Sequence, residues 1–196
     1  MDIQLLRGAQ IEPHIDELAR LRIRVFREFP YLYDGSLSYE IDYLSTYVRS
    51  ADSLCVLVRD GDQVVGASTA LPLSDEDEAF QRPFVEAGWN LERLFYFAES
   101  VVLPAWRGRG LGVRFFAERE AHARSLARFD WCAFCAVQRP SNHPRRPVDY
   151  QPLDDFWHRR GYRHHRDLYT EYHWRDLDEA EASAKPMSFW LKELCR

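Results

Sequence analysis

The segment VVLPAWRGRGLGVRFFAEREAHA, residues 101–123, constrains the chain most. An apolar and aromatic run from Leu91 to Leu103 is stopped by Pro104 and reads as a strand. A glycine-rich turn, Arg107 to Gly112, follows and enters an amphipathic helix expected to reach about Arg128. Glycines in such a turn permit positive φ and let backbone N–H groups approach a ligand closely. The first helical turn adds unpaired N–H donors and the positive end of the helix dipole. Together these cradle a diphosphate, and Arg107 and Arg109 bring charge to where a phosphate would sit. No Gly-Lys-Ser/Thr follows, so this is not a Walker loop. Its G-x-G-x-G spacing in mid-chain is not the dinucleotide fingerprint either. The turn also reads as a plain strand-to-helix connection with solvated arginines.

Around this segment, helical and strand periods alternate. Residues 2–7 read as a strand. Ile15, Leu18, Leu21, Ile23, Val25, Phe26 and Phe29 mark the apolar face of a helix that ends before Pro30. Ile41, Leu44, Tyr47 and Val48 mark a second helix over 39–50. Strands at 54–58 and 64–71 flank the hairpin signal Asp60-Gly61-Asp62. Residues 74–90 are acidic and mixed, with room for a short helix at 75–86. A strand at 131–137 precedes a Pro- and Arg-rich loop at 138–152. A short helix at 153–160 stops at Gly161. Residues 162–174 include a strand, 176–185 form a polar connector, and 187–194 close with a strand pattern. The expected order is β-αα-ββ-β-α-β-α-β-β, a mixed α/β fold. At 196 residues, one domain over 1–196 is expected.

Composition narrows the function classes. A hydrophobic fraction of 46% and an aromatic fraction of 14% supply a sizeable core, which excludes a disordered tail or a disulfide-stapled miniprotein. A net charge of −5 argues against a nucleic-acid partner. No apolar run approaches the roughly 20 residues of a membrane helix. The N-terminus lacks the basic start and long apolar stretch of a signal peptide. A cytoplasmic protein with no membrane partner is expected. Cys132 and Cys135 form a CxxC, but residues three apart on a strand face opposite sides. They read as core cysteines, as does Cys55, and no metal site is expected. Cys195 is uninformative.

Arg107-x-x-Gly110-x-Gly112, preceded by a strand and Pro104, resembles the acyl-CoA-binding motif of the Gcn5-related N-acetyltransferase (GNAT) superfamily. Phe156-Trp157-His158-Arg159-Arg160-Gly161-Tyr162 resembles that family's Phe-Tyr-x-x-x-Gly-Phe at the end of its fourth helix, and the element order is similar. The resemblance implies a central mixed, mostly antiparallel sheet of about six to seven strands, flanked by about four helices. The fourth and fifth strands should splay apart. It implies acetyl-CoA as cofactor, its pantetheine arm on the backbone of Val101, Val102 and Leu103. Its diphosphate would lie on the N–H groups of Arg107, Gly108, Arg109, Gly110, Leu111 and Gly112. The activity implied is acetyl transfer to a primary amine of a small molecule by direct attack. A non-catalytic acyl-CoA-binding module and a protein or peptide acetyltransferase are the alternatives.

Such transfer needs a neutral amine, and a carboxylate near the acceptor takes the ammonium proton. Glu99, alone in the apolar run LFYFAESVVL, is the candidate base, with Glu92 and Asp42 behind it. An ion pair with one of the arginines explains Glu99 equally. Trp157 stands where the family often has an acidic Tyr, so Tyr150 is the candidate acid. Tyr31, Tyr33 and Asp34, between the first two helices, are candidate walls of the acceptor pocket. Arg139, Arg145 and Arg146 suit an anionic group on either substrate, or solvent. The family often pairs through its last strands, and Met187-Ser188-Phe189-Trp190-Leu191 is apolar enough for a homodimer.

Overall fold

The turn signals divide the chain where their chemistry demands. In the computed structural model, which describes residues 1–194, β1 (Asp2–Leu6) is followed by a 3-10 turn, α1 (Ile15–Phe26) and α2 (Leu37–Arg49). The hairpin β2 (Leu54–Asp60) and β3 (Gln63–Pro72) comes next, then α3 (Glu78–Glu86) and β4 (Leu94–Val102). The remainder is α4 (Leu111–Ser125), β5 (Trp131–Val137), α5 (Asp154–His158), β6 (Arg163–Trp174) and β7 (Ser183–Glu193). Cys195 lies outside the described residues. The order within the seven-stranded sheet is β1-β2-β3-β4-β5-β7-β6. All neighbours are antiparallel except β4 and β5.

The parallel pair is short. β4 and β5 align only through Leu94–Trp131, Phe95–Cys132 and Tyr96–Ala133, although they run on to Val102 and Val137. Beyond Tyr96 one edge of β4 therefore has no strand beside it, and the sheet opens. The two faces of β4 are distinct. The Tyr96 ring meets Phe80 of α3 at 5.5 Å, and the Phe97 ring meets Phe116 of α4 at 5.8 Å. Thus α3 and α4 cover opposite faces.

At the opening, β4 carries a bulge. Opposite β3, Ser68 aligns with Ser100 but Ala70 aligns with Phe97, so Ala98 and Glu99 together face Thr69. An extra residue breaks the ladder and re-aims a side chain. The freed carbonyls are taken by Arg119 of α4. Its Nη1 donates to Glu99 O at 3.0 Å and Thr69 O at 3.3 Å, and its Nη2 to Ser100 Oγ at 2.8 Å. Arg119 is 1% exposed and lies 4.3 Å from the Phe97 ring centroid. Burial pulls its guanidinium down to about 10, which leaves it charged at neutral pH.

Several boundaries differ from those read in the sequence. β7 begins at Ser183, not at 187, because Lys185 is buried on Asp176 and Glu179 and pairs across to Tyr172. Its polar start reads as a connector. Residues 187–191 lie inside the sheet between β5 and β6, so both edges of that strand are used. α4 stops at Ser125 rather than near Arg128, where Ala127 turns to a φ of 55°. The acidic segment holds the expected short helix, α3, starting at Glu78 rather than 75, where Asp77 caps it. The thiols of Cys132 and Cys135 diverge into two different core clusters.

Arg119→Met would leave the Glu99 and Thr69 carbonyls buried without donors, a loss of about 3 kcal/mol. Arg119→Lys should lose less. Urea unfolding checks this, and a change under about 0.5 kcal/mol for the Met variant would contradict the clamp.

Candidate active site

The glycine-rich turn emerges directly from β4 through a 3-10 turn at Pro104–Trp106. Gly110, at a φ of 81°, is the N-cap of α4 and supplies no side-chain cap. A non-glycine residue is strained in that conformation. Gly112 is required for a different reason: a Cβ there would stand 3.1 Å from the Phe156 ring. The two segments that carry the family resemblance therefore touch. The backbone N–H groups of residues 108–113 donate to no acceptor among the described residues. They form an open rim of donors at the positive end of α4, the arrangement that suits an anion. The arginine side chains are turned elsewhere. Arg107 donates to Val102 O at 3.0 Å and pairs with Glu28 at 2.8 Å, while Arg109 donates to Ala105 O at 3.0 Å. They brace the turn, and the backbone is left to meet an anion. Val101 is buried, and Leu103 N donates to Val65 O at 2.9 Å.

On the opposite face of the opening lies a cavity of about 350 Å³. Tyr96, Ala98 and Glu99 of β4 and Cys135 of β5 form its floor. Regular alternation would send Ala98 and Glu99 to opposite faces; the bulge puts both on this one. Tyr31, Tyr33 and Asp34 line the same cavity, as the sequence suggested. Asp34 is not free to receive a cation, since Arg27 holds it at 3.2 Å and Arg175 pairs with its other oxygen.

Glu99 is 5% exposed. Its Oε2 pairs with Arg22 of α1, whose Nε pairs with Glu40 of α2. Glu99 Oε1 has no hydrogen-bond partner. Burial works to pull Arg22 down, but the charges of Glu99 and Glu40 raise it overall, so it stays a cation. Two carboxylates thus share one guanidinium. Arg22 and Glu40 were missed in the sequence. Their signal was spacing: Arg22 is four residues from both Leu18 and Phe26, and Glu40 is four before Leu44 and seven before Tyr47, on buried faces.

The other candidates fall away from this cluster. Glu92 is exposed and paired with Arg128, and Asp42 faces a second, outer cavity. Tyr150 does not line the main cavity. Its ring stands edge-on to Phe29 at 4.7 Å with Arg146 over it, and burial raises its phenol. Trp157 packs into the core against Phe134 and Trp190. Arg139 is structural: it donates to the carbonyls of Pro30 and Tyr31 at 2.7 Å each and pairs with Asp176. Burial pushes the Cys135 thiol up to about 12, so it is no thiolate. No cluster of metal-ligating side chains occurs among the described residues.

No protein-family model and no curated protein sequence matches the chain. Solved structures do. A GNAT-family protein from Desulfovibrio desulfuricans is 13% identical with a TM-score of 0.58, over 99% of this chain and 100% of that one. Ribosomal-protein-alanine N-acetyltransferase from Brucella melitensis is 15% identical with a TM-score of 0.61, over 99% and 100%. Aminoglycoside 6'-N-acetyltransferase from Enterococcus faecium is 14% identical with a TM-score of 0.59, over 100% and 98%. The chain has the GNAT fold. The mixed sheet opening between its fourth and fifth strands is that of the GNAT fold, with five α-helices among the described residues.

One buried acid outside the cluster is testable directly. Tyr43 Oη lies 2.8 Å from Tyr47 Oη, which donates to Glu76 at 2.9 Å. Burial pushes the Glu76 carboxyl up to about 7, against hydrogen bonds from Asp77 N–H and Tyr47 that lower it. Its folded value lies above its unfolded one, so its contribution is fully present at low pH and is lost as pH rises through about 7. Melting temperatures from pH 5 to 8 should fall more steeply for the wild type than for Glu76→Gln. Parallel curves would contradict this.

Proposed function

We propose that the protein is an acetyl-CoA-dependent N-acetyltransferase acting on a primary amine of a small molecule. The observation that carries this is the pairing of two sites across one opening in the sheet. On one face is a rim of unpaired N–H groups at the start of α4, and on the other is a cavity with the buried carboxylate of Glu99. The residues present fit the cofactor. The rim of residues 108–113 offers donors to a diphosphate, and the unpaired edge of β4 beyond Tyr96 offers backbone groups to a pantetheine arm. An aminoglycoside 6'-N-acetyltransferase of the same fold has been solved with coenzyme A, at 15% identity and a TM-score of 0.60. A protein of this fold from Salmonella typhimurium, named yncA, has been solved with its cofactor acetyl-CoA, at 8% identity and a TM-score of 0.58.

When bound, acetyl-CoA supplies a thioester carbonyl as electrophile and a thiolate as leaving group. Glu99 accepts a proton from the acceptor's ammonium and frees the nitrogen lone pair for attack. Protonating Glu99 leaves Arg22 balanced by Glu40 alone, so the buried cluster ends neutral. A buried cluster without excess charge is the lower-energy one. A thiolate near pKa 8.5 needs little help to leave; Tyr150, if it reaches the sulfur, donates to it as a protonated phenol. The cavity favours a small acceptor over a protein segment, because about 350 Å³ sits at the lower end of small-molecule sites.

Thiol release from acetyl-CoA in the presence of a primary-amine panel tests the reading. Glu99→Gln should lower kcat about 10²-fold or more, as loss of a general base does, with acetyl-CoA affinity unchanged. Release of thiol at wild-type rate by the variant would remove Glu99 from the role. Binding of acetyl-CoA with no thiol release for any amine would favour the non-catalytic alternative.

A further inference from the structure

We infer that the acceptor is a monoamine carried on an apolar, ring-bearing body, with no carboxylate of its own. This rests on the acetyltransferase reading and narrows it to one class of substrate.

The first observation is charge. At the inner end of the cavity, Glu99 and Glu40 share Arg22, so the cluster is one cation short. Glu99 is 5% exposed and Glu40 fully buried, both line the cavity, and Glu99 Oε1 is buried without a hydrogen-bond partner. A buried carboxylate oxygen with no donor is costly. An alkylammonium supplies both the missing charge and the missing donor. A carboxylate on the acceptor would enter as a third negative group. The charge nearest the mouth does not reverse this, because Asp34 already engages both Arg27 and Arg175.

The second observation is the state of the cavity's hydroxyls. Rings from α1, α2, α3, β4 and β6 form its walls. Several of these are tyrosines, which would suit a polyhydroxylated acceptor only if their hydroxyls were free. Those of Tyr39, Tyr43, Tyr96 and Tyr172 are engaged with neighbours. Tyr39 Oη lies 2.7 Å from Tyr172 Oη, Tyr43 Oη 2.8 Å from Tyr47 Oη, and Tyr96 Oη 2.9 Å from Cys135 Sγ. The walls therefore present ring faces. Phe80 stacks on Tyr172 at 4.9 Å, and Tyr31 leans on Phe26 at 4.5 Å, so the rings are fixed by one another. A polyhydroxylated acceptor placed against them would find few free groups to replace the water partners it loses. A ring on the acceptor gains apolar burial and edge or face contacts.

The test is steady-state thiol release by the purified protein with acetyl-CoA and each of four acceptors: 2-phenylethylamine, phenylalanine, spermidine and kanamycin. We expect kcat/KM for 2-phenylethylamine to exceed that for each of the others by about 100-fold or more, the discrimination a buried unpaired or like-charged group imposes. Phenylalanine isolates the carboxylate, spermidine the ring, and kanamycin the hydroxyls. In Glu40→Gln the cluster is neutral without a guest, so KM for 2-phenylethylamine should rise about tenfold; kcat should fall as well, because protonating Glu99 then leaves Arg22 unbalanced. Equal or better turnover of phenylalanine, spermidine or kanamycin overturns the acceptor class and leaves the acetyltransferase reading standing. Thiol release with none of the four or with any other amine, while acetyl-CoA binds, overturns both. An unchanged KM in Glu40→Gln overturns the charge argument.

Discussion

The guanidinium of Arg119 holds the carbonyls of Glu99 and Thr69 where β4 gains a residue over β3. Without a bulge, Ala98 and Glu99 would point to opposite faces, and Glu99 would have no place in the cavity. Without a buried donor, the bulge would leave carbonyls in the core with no partner, at a cost of about 1–3 kcal/mol each. The donor comes from α4, the helix whose first turn forms the anion rim. One helix thus sets both the proposed cofactor side and the carboxylate on the proposed acceptor side. Phe97 and Phe116 flank the guanidinium, so it is positioned by rings as well as by hydrogen bonds.

The second constraint follows from the first. Glu99, once turned inward, meets Arg22 and Glu40, which come from two helices joined by an aromatic connection. That connection is held down by Arg139 through the carbonyls of Pro30 and Tyr31, and by the Trp174 indole, which donates to Tyr31 O at 3.0 Å. The connection that brings Tyr31 and Tyr33 to the cavity is therefore tied to β6 and to the loop after β5. A fixed carboxylate beside a fixed opening is what proton transfer and attack at one centre require.

Local chemistry was legible in the sequence where it rests on residues with special backbone needs. Gly110 and Gly112 marked the start of α4, Gly161 marked the end of the short helix, and Asp60-Gly61-Asp62 marked the hairpin. The CxxC was read correctly as two core thiols, because strand alternation alone separates them. The bulge left no trace. LFYFAESVV is apolar on both faces, so shifting its register by one residue changes no hydrophobic pattern. Arg22 and Glu40 were passed over because a charge within a helical pattern is ordinarily on the solvent side. The start of β7 was hidden for the same reason, its buried Lys185 reading as a connector. Arg22, Glu40 and Lys185 are each polar groups buried with partners of opposite charge, and for Arg22 those partners come from α2 and β4.

The central claim is that one cofactor crosses the opening between β4 and β5 from the rim of α4 to Glu99. A crystal structure of the protein with coenzyme A tests it most directly. The account predicts the diphosphate within hydrogen-bond distance of the N–H groups of residues 108–113. The pantetheine arm should lie along the free edge of β4 beyond Tyr96, with the thiol directed toward the Glu99 cavity. Coenzyme A bound elsewhere, or its thiol pointing away from that cavity, would contradict it.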